Sequence, residues 1–195
     1  MSDALILSEL IAVGALAKQE GAGKASVHLQ EPDAEHSVQI SGLPKDAFVI
    51  EADKSLREAD NKVSMLKSIF GGGHNECKMA DYIIISPACK IIVCVELKSS
   101  RRNIRPKAVW QLTGASCLVA YIREVGRKFW RADNFLADYD YRYAVIIKHS
   151  AKKTSRQLRE DDQRKHNTPD KFLGISTAQR VSFRYLAGLP RTARR

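Results

Sequence analysis

The stretch Lys90–Ser99, KIIVCVELKS, decides how the chain is read. Ile91, Ile92, Val93, Cys94 and Val95 run without a break into Glu96-Leu97-Lys98. Residues two apart in a strand share a face, so Glu96 and Lys98 project from one side and Leu97 from the other. A carboxylate and an ammonium at the end of so apolar a strand are costly unless paired, metal-bound or near water. The end of this strand is therefore the candidate functional site.

Working upstream, Asp81-Tyr82-Ile83-Ile84-Ile85 reads as a second strand closed by Ser86-Pro87. The short turn Pro87–Lys90 makes an antiparallel hairpin the economical pairing. The start of the first strand then lies beside the end of the second, bringing Asp81 and Glu96 within bridging reach of a hard cation such as Mg²⁺ or Mn²⁺. Without that cation, two adjacent carboxylates resist joint ionisation. Lys98 is placed to orient, or help deprotonate, a water whose pKa the cation lowers, and the cation stabilises charge on a transferring phosphoryl group.

Downstream, Ser99–Lys107 reads as a loop carrying Arg101, Arg102, Arg105 and Lys107, suited to neutralising phosphates or simply solvated. Pro106 opens a helix over Ala108–Val125, with Trp110, Leu112, Ala115, Leu118, Val119 and Ile122 on its packed side. Gln111, one turn in, can reach Lys98, a water or a phosphate. Tyr143–Lys148 is a third core strand, so strand, helix and strand have the length of a right-handed crossover.

The flanks are less patterned. Residues 4–18 predict a helix capped by Ser2 or Asp3 and ended by Gly21–Gly23. Ser26–Leu29 and Ser37–Ile40 predict a hairpin around Glu31–Glu35, Phe48–Ile50 a brief strand, and Ala52–Phe70 another helix. Gly71-Gly72-Gly73 ends that helix without matching a phosphate loop. His149–Pro169 is polar, and Val181–Leu186 is a last strand. The order predicts an α/β fold, a mixed sheet flanked by helices.

Its 195 residues suit a single domain, with a core over about 50–148 and a basic extension over about 149–195. The net charge of +10 is concentrated at the C-terminal end: Lys148–Arg195 holds 13 Lys/Arg against 4 Asp/Glu. That asymmetry points to a polyanion, with nucleic acid, DNA or RNA, ahead of an anionic membrane or an acidic protein. Cys94 and Cys117 read as small core residues. His74 and Cys77 lack the second ligand pair a zinc site needs. His149 and His166 are expected at solvent or phosphate, and Trp110 and Trp130 in packing. The N-terminal stretch lacks a basic leader region, and no uncharged run is long enough for a membrane span. A reducing, cytoplasmic compartment is the expectation, with no membrane partner.

Asp81, fourteen residues, Glu96-Leu97-Lys98 after an apolar strand, and a following helix bearing Gln111 together resemble the PD-(D/E)xK nuclease superfamily. The resemblance covers about residues 50–148 and implies a restriction-endonuclease-like core: helix, three antiparallel strands, helix, strand. It implies that Asp81 and Glu96 bind Mg²⁺, that the Leu97 carbonyl adds a ligand, that Lys98 assists the attacking water and that Gln111 joins the catalytic set. Tyr121 echoes a tyrosine of some exonuclease-like branches. Many members add an acidic residue from an earlier helix; Glu9, Glu20, Glu51 and Glu58 compete, and Glu58 is favoured. Ala80 stands where the motif often has proline. The implied activity is a Mg²⁺-dependent nuclease, with a homodimer or larger nucleoprotein complex as a possible assembly. The alternative is a non-catalytic nucleic-acid-binding or assembly module retaining the fold.

Overall fold

A computed structural model of the chain describes residues 1–21, 25–31, 36–55, 65–99, 104–148, 165–177 and 179–190. Its centre is a five-stranded mixed sheet in the order β4-β5-β6-β7-β8. Strands β4 (Phe48–Glu51), β5 (Tyr82–Ser86) and β6 (Ile91–Lys98) are successively antiparallel, while β7 (Asp140–Lys148) and β8 (Leu173–Thr177) join in parallel. The hairpin expected from the apolar runs is present, with Tyr82 opposite Val95 and Ser86 opposite Ile91. Both strands are apolar on both faces because both faces are covered.

One face carries helices. Helix α1 (Asp3–Leu10) buries Ile6 and Leu7, and the long helix α3 (Ile104–Phe129) buries Ala108, Leu112, Ala115, Val119, Ile122 and Gly126. Those six positions recur at alternating steps of four and three, which places them on one stripe of a helix. They meet Ile83, Ile85, Ile92, Cys94 and Val145 from the sheet. The opposite face is covered by a four-stranded sheet of β1 (Gln19–Glu20), β2 (Ser26–Glu31), β3 (His36–Ser41) and β9 (Arg180–Ser182). Val27, Leu29, Val38 and Ile40 from that sheet pack with Ile84, Val93, Val95, Leu97 and Ile146. A short helix, α4 (Phe183–Leu186), adds Phe183 and Leu186 to this second core.

Tyr82 ties the two sheets by hydrogen bonds. Its hydroxyl donates to the Gln30 carbonyl at 2.8 Å and accepts from the Gln30 amide at 2.9 Å. Tyr82→Phe removes both bonds while keeping the ring, so a loss of about 1–2 kcal/mol is expected in urea unfolding. An unchanged midpoint would show that the ring packing alone holds the layers.

Several elements differ from the sequence reading. Helix α1 is capped by Ser2, whose Oγ accepts from the Leu5 amide, but it ends at Leu10 rather than at the glycines. The chain beyond it is claimed by the edge of β4: Leu16 bridges Ile50, and the Ala17 amide donates to the Val49 carbonyl at 2.8 Å. The helix expected over Ala52–Phe70 has one turn, α2 (Ala52–Ser55), and a 3₁₀ turn at Met65–Ser68; residues 56–64 lie outside the described residues. Helix α3 starts at Ile104, so Arg105 and Lys107 are helical rather than in a loop. Pro106 is tolerated there because a helix's first amides lack intrahelical partners. The last strand is short, Arg180–Ser182, and Phe183–Leu186 is helical instead.

Trp110 is 45% exposed and Cys117 is exposed, so neither belongs to the packed side of α3. His166 is buried, with one ring nitrogen on the Leu186 carbonyl at 2.8 Å, rather than at solvent, and burial lowers its pKa. His149 lies outside the described residues. Among the described residues no helix is long and apolar enough to cross a membrane.

Candidate active site

Continuing the β5–β6 register one pair beyond Tyr82–Val95 sets Asp81 opposite Glu96. Directly opposed residues of an antiparallel pair project to the same face. Glu96 lies two residues beyond Cys94, so that face is the one under α3. Glu96 is 1% exposed. One of its carboxylate oxygens takes the Lys98 ammonium, while the other, Oε2, is buried without a hydrogen-bond partner among the described residues. The Lys98 side chain is about one-fifth exposed, so its ammonium reaches both the buried carboxylate and the solvent edge.

Burial pushes the Glu96 carboxyl up to about 8, and the neighbouring Asp81 carboxylate pushes in the same direction. The Lys98 charge and hydrogen bond, and then the Asp81 backbone amide, oppose them without restoring an ordinary value. A carboxyl poised near neutrality in an apolar wall is expensive to keep and is more common at functional sites than elsewhere.

Asp81 has a structural duty as well. Its Oδ2 accepts from the Leu97 amide at 2.7 Å, finishing the ladder where β5 stops. The chain leading to it is fixed by α3. Gln111 Nε2 donates to the Met79 carbonyl at 3.5 Å, and a Cβ placed on Gly114 would stand 1.8 Å from the Lys78 carbonyl oxygen. Gly114 therefore lets helix backbone and segment backbone touch, and that contact positions Asp81. The sequence signals this glycine only through its place one turn after Gln111.

The remaining expected residues are distributed differently. Arg105 donates to the Asp170 carbonyl at 2.6 Å and lies 5.6 Å from the Phe172 ring centre, so it fastens the chain before β8 to the start of α3. Lys107 is exposed on the first turns of α3, and Tyr121 is exposed three turns further along from Trp110. Arg101, Arg102 and Glu58 lie outside the described residues. Of the other acidic candidates, Glu9 accepts from Trp130 Nε1 at 2.8 Å, Glu20 pairs with His28 and Glu51 pairs with Lys54.

Among the described residues no group of three or more His, Cys, Asp or Glu forms a metal cage. Mg²⁺ is commonly held by one or two carboxylates plus waters and substrate phosphates, so the Asp81/Glu96 pair and the unpartnered Glu96 oxygen fit that mode. Fold and site together define an α/β protein whose mixed sheet brings two carboxylates and a lysine to one strand end. No protein-family model, no curated protein and no solved structure matches the chain.

Proposed function

We propose that this chain is a Mg²⁺-dependent nuclease of the PD-(D/E)xK kind, hydrolysing phosphodiester bonds in DNA. The observation that carries the reading is the Asp81–Glu96 register with the Glu96–Lys98 pair on the same strand face. It is supported by the run of antiparallel strands β4–β6, α3 and the parallel strand β7, which follows α1 after the intervening strands β1–β3 and would supply the strand-helix-strand part of the superfamily's core.

A bound divalent cation supplies an acidified water and positive charge beside the phosphoryl oxygens. Asp81 and Glu96 would hold it, with the Leu97 carbonyl as an additional oxygen ligand. The apolar wall around Glu96 excludes water from its inner side and strengthens its interaction with a cation. Lys98 hydrogen-bonds the attacking water or a non-bridging phosphate oxygen, since its ammonium has three donors and a path to solvent. Gln111 holds the Met79 segment in place and so positions Asp81.

Plasmid and oligonucleotide cleavage in Mg²⁺ and in Mn²⁺ is the direct test. Lys98→Ala is expected to lower the cleavage rate about 100-fold or more, the scale of losing a positioned proton-transfer or charge-stabilising group. Equal rates for the two proteins would sink the assigned role of Lys98, and an inactive wild type would sink the nuclease reading.

A second reading has its own observation: Asp81 is engaged with the Leu97 amide and Glu96 with Lys98, as in a strand end stabilised internally. On that reading the chain is a nucleic-acid-binding or assembly module that keeps the fold without the reaction. DNA binding with no hydrolysis, and no calorimetric Mg²⁺ binding that depends on Glu96, would select it. A homodimer would let the enzyme cut both strands of a duplex in one encounter.

A further inference from the structure

Three features outside the carboxylate pair are candidates for function: the exposed stripe Trp110, Cys117 and Tyr121 on α3, the exposed end of that helix at Phe129, and two buried histidines between the sheets. Neither apolar face has a feature that selects an occupant. The histidines carry more.

His36 opens β3 and shares its inward face with Val38 and Ile40. It is 2% exposed, and both ring nitrogens are buried without a hydrogen-bond partner among the described residues. His166 is as deeply buried. The Tyr143 amide donates to its carbonyl at 2.9 Å, the bond that a parallel pairing of Arg142 with His166 makes, so those two side chains share a sheet face. Arg142 alternates with Ala144 and Ile146, which turns that face toward the second sheet. There His166 Nε2 donates to the Leu186 carbonyl of α4 at 2.8 Å. This tautomer leaves Nδ1 a bare acceptor, buried and without a partner among the described residues. The charges around both rings discourage a proton. Lys148, at the end of β7, opposes a charge on His36, and Arg142 opposes one on His166. Asp140 is exposed and pairs with Arg142, while Lys165 and Arg184 are exposed. Glu31 is the residue that the β2–β3 register sets opposite His36.

A buried imidazole is tolerated while neutral; with a proton it becomes a buried cation beside another cation. A detached layer hydrates that charge instead. We propose that His36 and His166 form a proton-operated latch, and that mild acid releases the second layer, β1–β3, β9 and α4, from the central sheet. Burial, ahead of the neighbouring cations, lowers both rings below the ordinary value of 6.5, and only the Leu186 bond to His166 works the other way. The detached layer therefore binds protons that the closed layer does not. The stabilisation is whole above pH 6.5 and is lost as pH falls through the folded values. Release also reaches the carboxylates, because Tyr82, held by the Gln30 backbone of β2, adjoins Asp81. The latch goes beyond the nuclease reading and does not depend on it.

Native-state hydrogen exchange, corrected for intrinsic rates, is followed from pH 7.5 to pH 5.0 without divalent ions. Opening of the second layer is read at Val27, Leu29, Val38 and Ile40. It is expected to grow by up to about tenfold per pH unit for each histidine, approaching about 100-fold per unit for both. Val93, Cys94 and Val95 of the central sheet are expected to change less than about threefold, as a separate unit of opening. His36→Leu and His166→Gln should each remove one tenfold step and the double variant both; glutamine keeps an amide donor for the Leu186 carbonyl. Glu31→Gln should keep the two-histidine slope. Where a variant does not fold, the wild-type slope and the two ring titrations by NMR decide. A flat wild-type profile, equal acceleration of the central strands, an undiminished slope in the double variant, or rings that titrate at or above the ordinary value would overturn the proposal. Cleavage is assayed separately: a working latch without hydrolysis removes the nuclease reading and leaves this one standing, and hydrolysis with a flat exchange profile does the reverse.

Discussion

Glu96→Gln is expected to raise the stability of the fold at alkaline pH and, under the proposed nuclease activity, to lower Mg²⁺-dependent cleavage on the order of 1,000-fold, the scale of removing a main transition-state charge partner. The stability half follows from the direction of the pKa shift. Glu96 titrates near 8 in the folded chain, against an ordinary value of 4.5. Between those values the native state holds a proton that the unfolded chain has released, so stability falls as pH rises through that window. Below it the carboxyl is neutral in both states and costs nothing extra; above it the full penalty of a buried charge is present. Glutamine has the shape of the protonated acid and does not titrate. The gap between variant and wild type should therefore open from about pH 5 and level off above pH 8, reaching on the order of a few kcal/mol by proton linkage. Lys98 loses its partner but keeps its route to water, which limits the offsetting loss. Urea unfolding of both proteins at pH 5, 7 and 9 checks it: parallel stability profiles would mean that Glu96 is not the strained group described here. A more stable and inactive variant is the signature of a residue kept for chemistry.

Gly114→Ala is expected to be the most damaging single-methyl change at the site. The new Cβ would overlap the Lys78 carbonyl oxygen at 1.8 Å, and the obstacle is backbone, so no side-chain rotation relieves it. Either α3 or the Lys78–Asp81 segment must shift, at about 1–3 kcal/mol or more. Under the proposed nuclease activity, cleavage should fall by a larger factor than the stability loss explains, because the displaced segment carries Asp81. Gly71→Ala is the control: nothing lies within 4 Å of its added Cβ, and it should leave unfolding within about 0.5 kcal/mol of wild type. If both alanine variants behave alike, the close helix–segment contact is not what positions Asp81.

The sheet's centre was legible because its strands are long apolar runs with a short turn between them; Tyr82–Ser86 and Ile91–Lys98 could scarcely pair otherwise. The short turn between them also brings Asp81 within reach of Glu96 from the sequence alone. What could not be read depends on contacts distant in sequence. Strand β8 passes as polar chain because Gly174 and Ser176 interrupt it, and it is held by the parallel edge of β7. The second sheet is closed by β9, about 140 residues from its partner β3, which no local pattern announces. Trp110 looks like a helix anchor by composition, yet the stripe that faces the sheet is set by Ala108, Leu112 and Ala115 and turns it outward. Arg105 reads as a phosphate ligand until Asp170 and Phe172 are brought beside it.

The turn Pro87–Lys90 stands five strand residues from Glu96, about 17 Å away at the rise of an extended chain. It nevertheless decides which residue faces the glutamate. One extra residue there, if not absorbed as a bulge, slips the hairpin register and sends Asp81 to the far side of the sheet. Across descendants of this chain the identity of the turn residues is free to drift, whereas their number is not. Length conservation at a surface turn, with composition left open, is the trace this site should leave in its lineage.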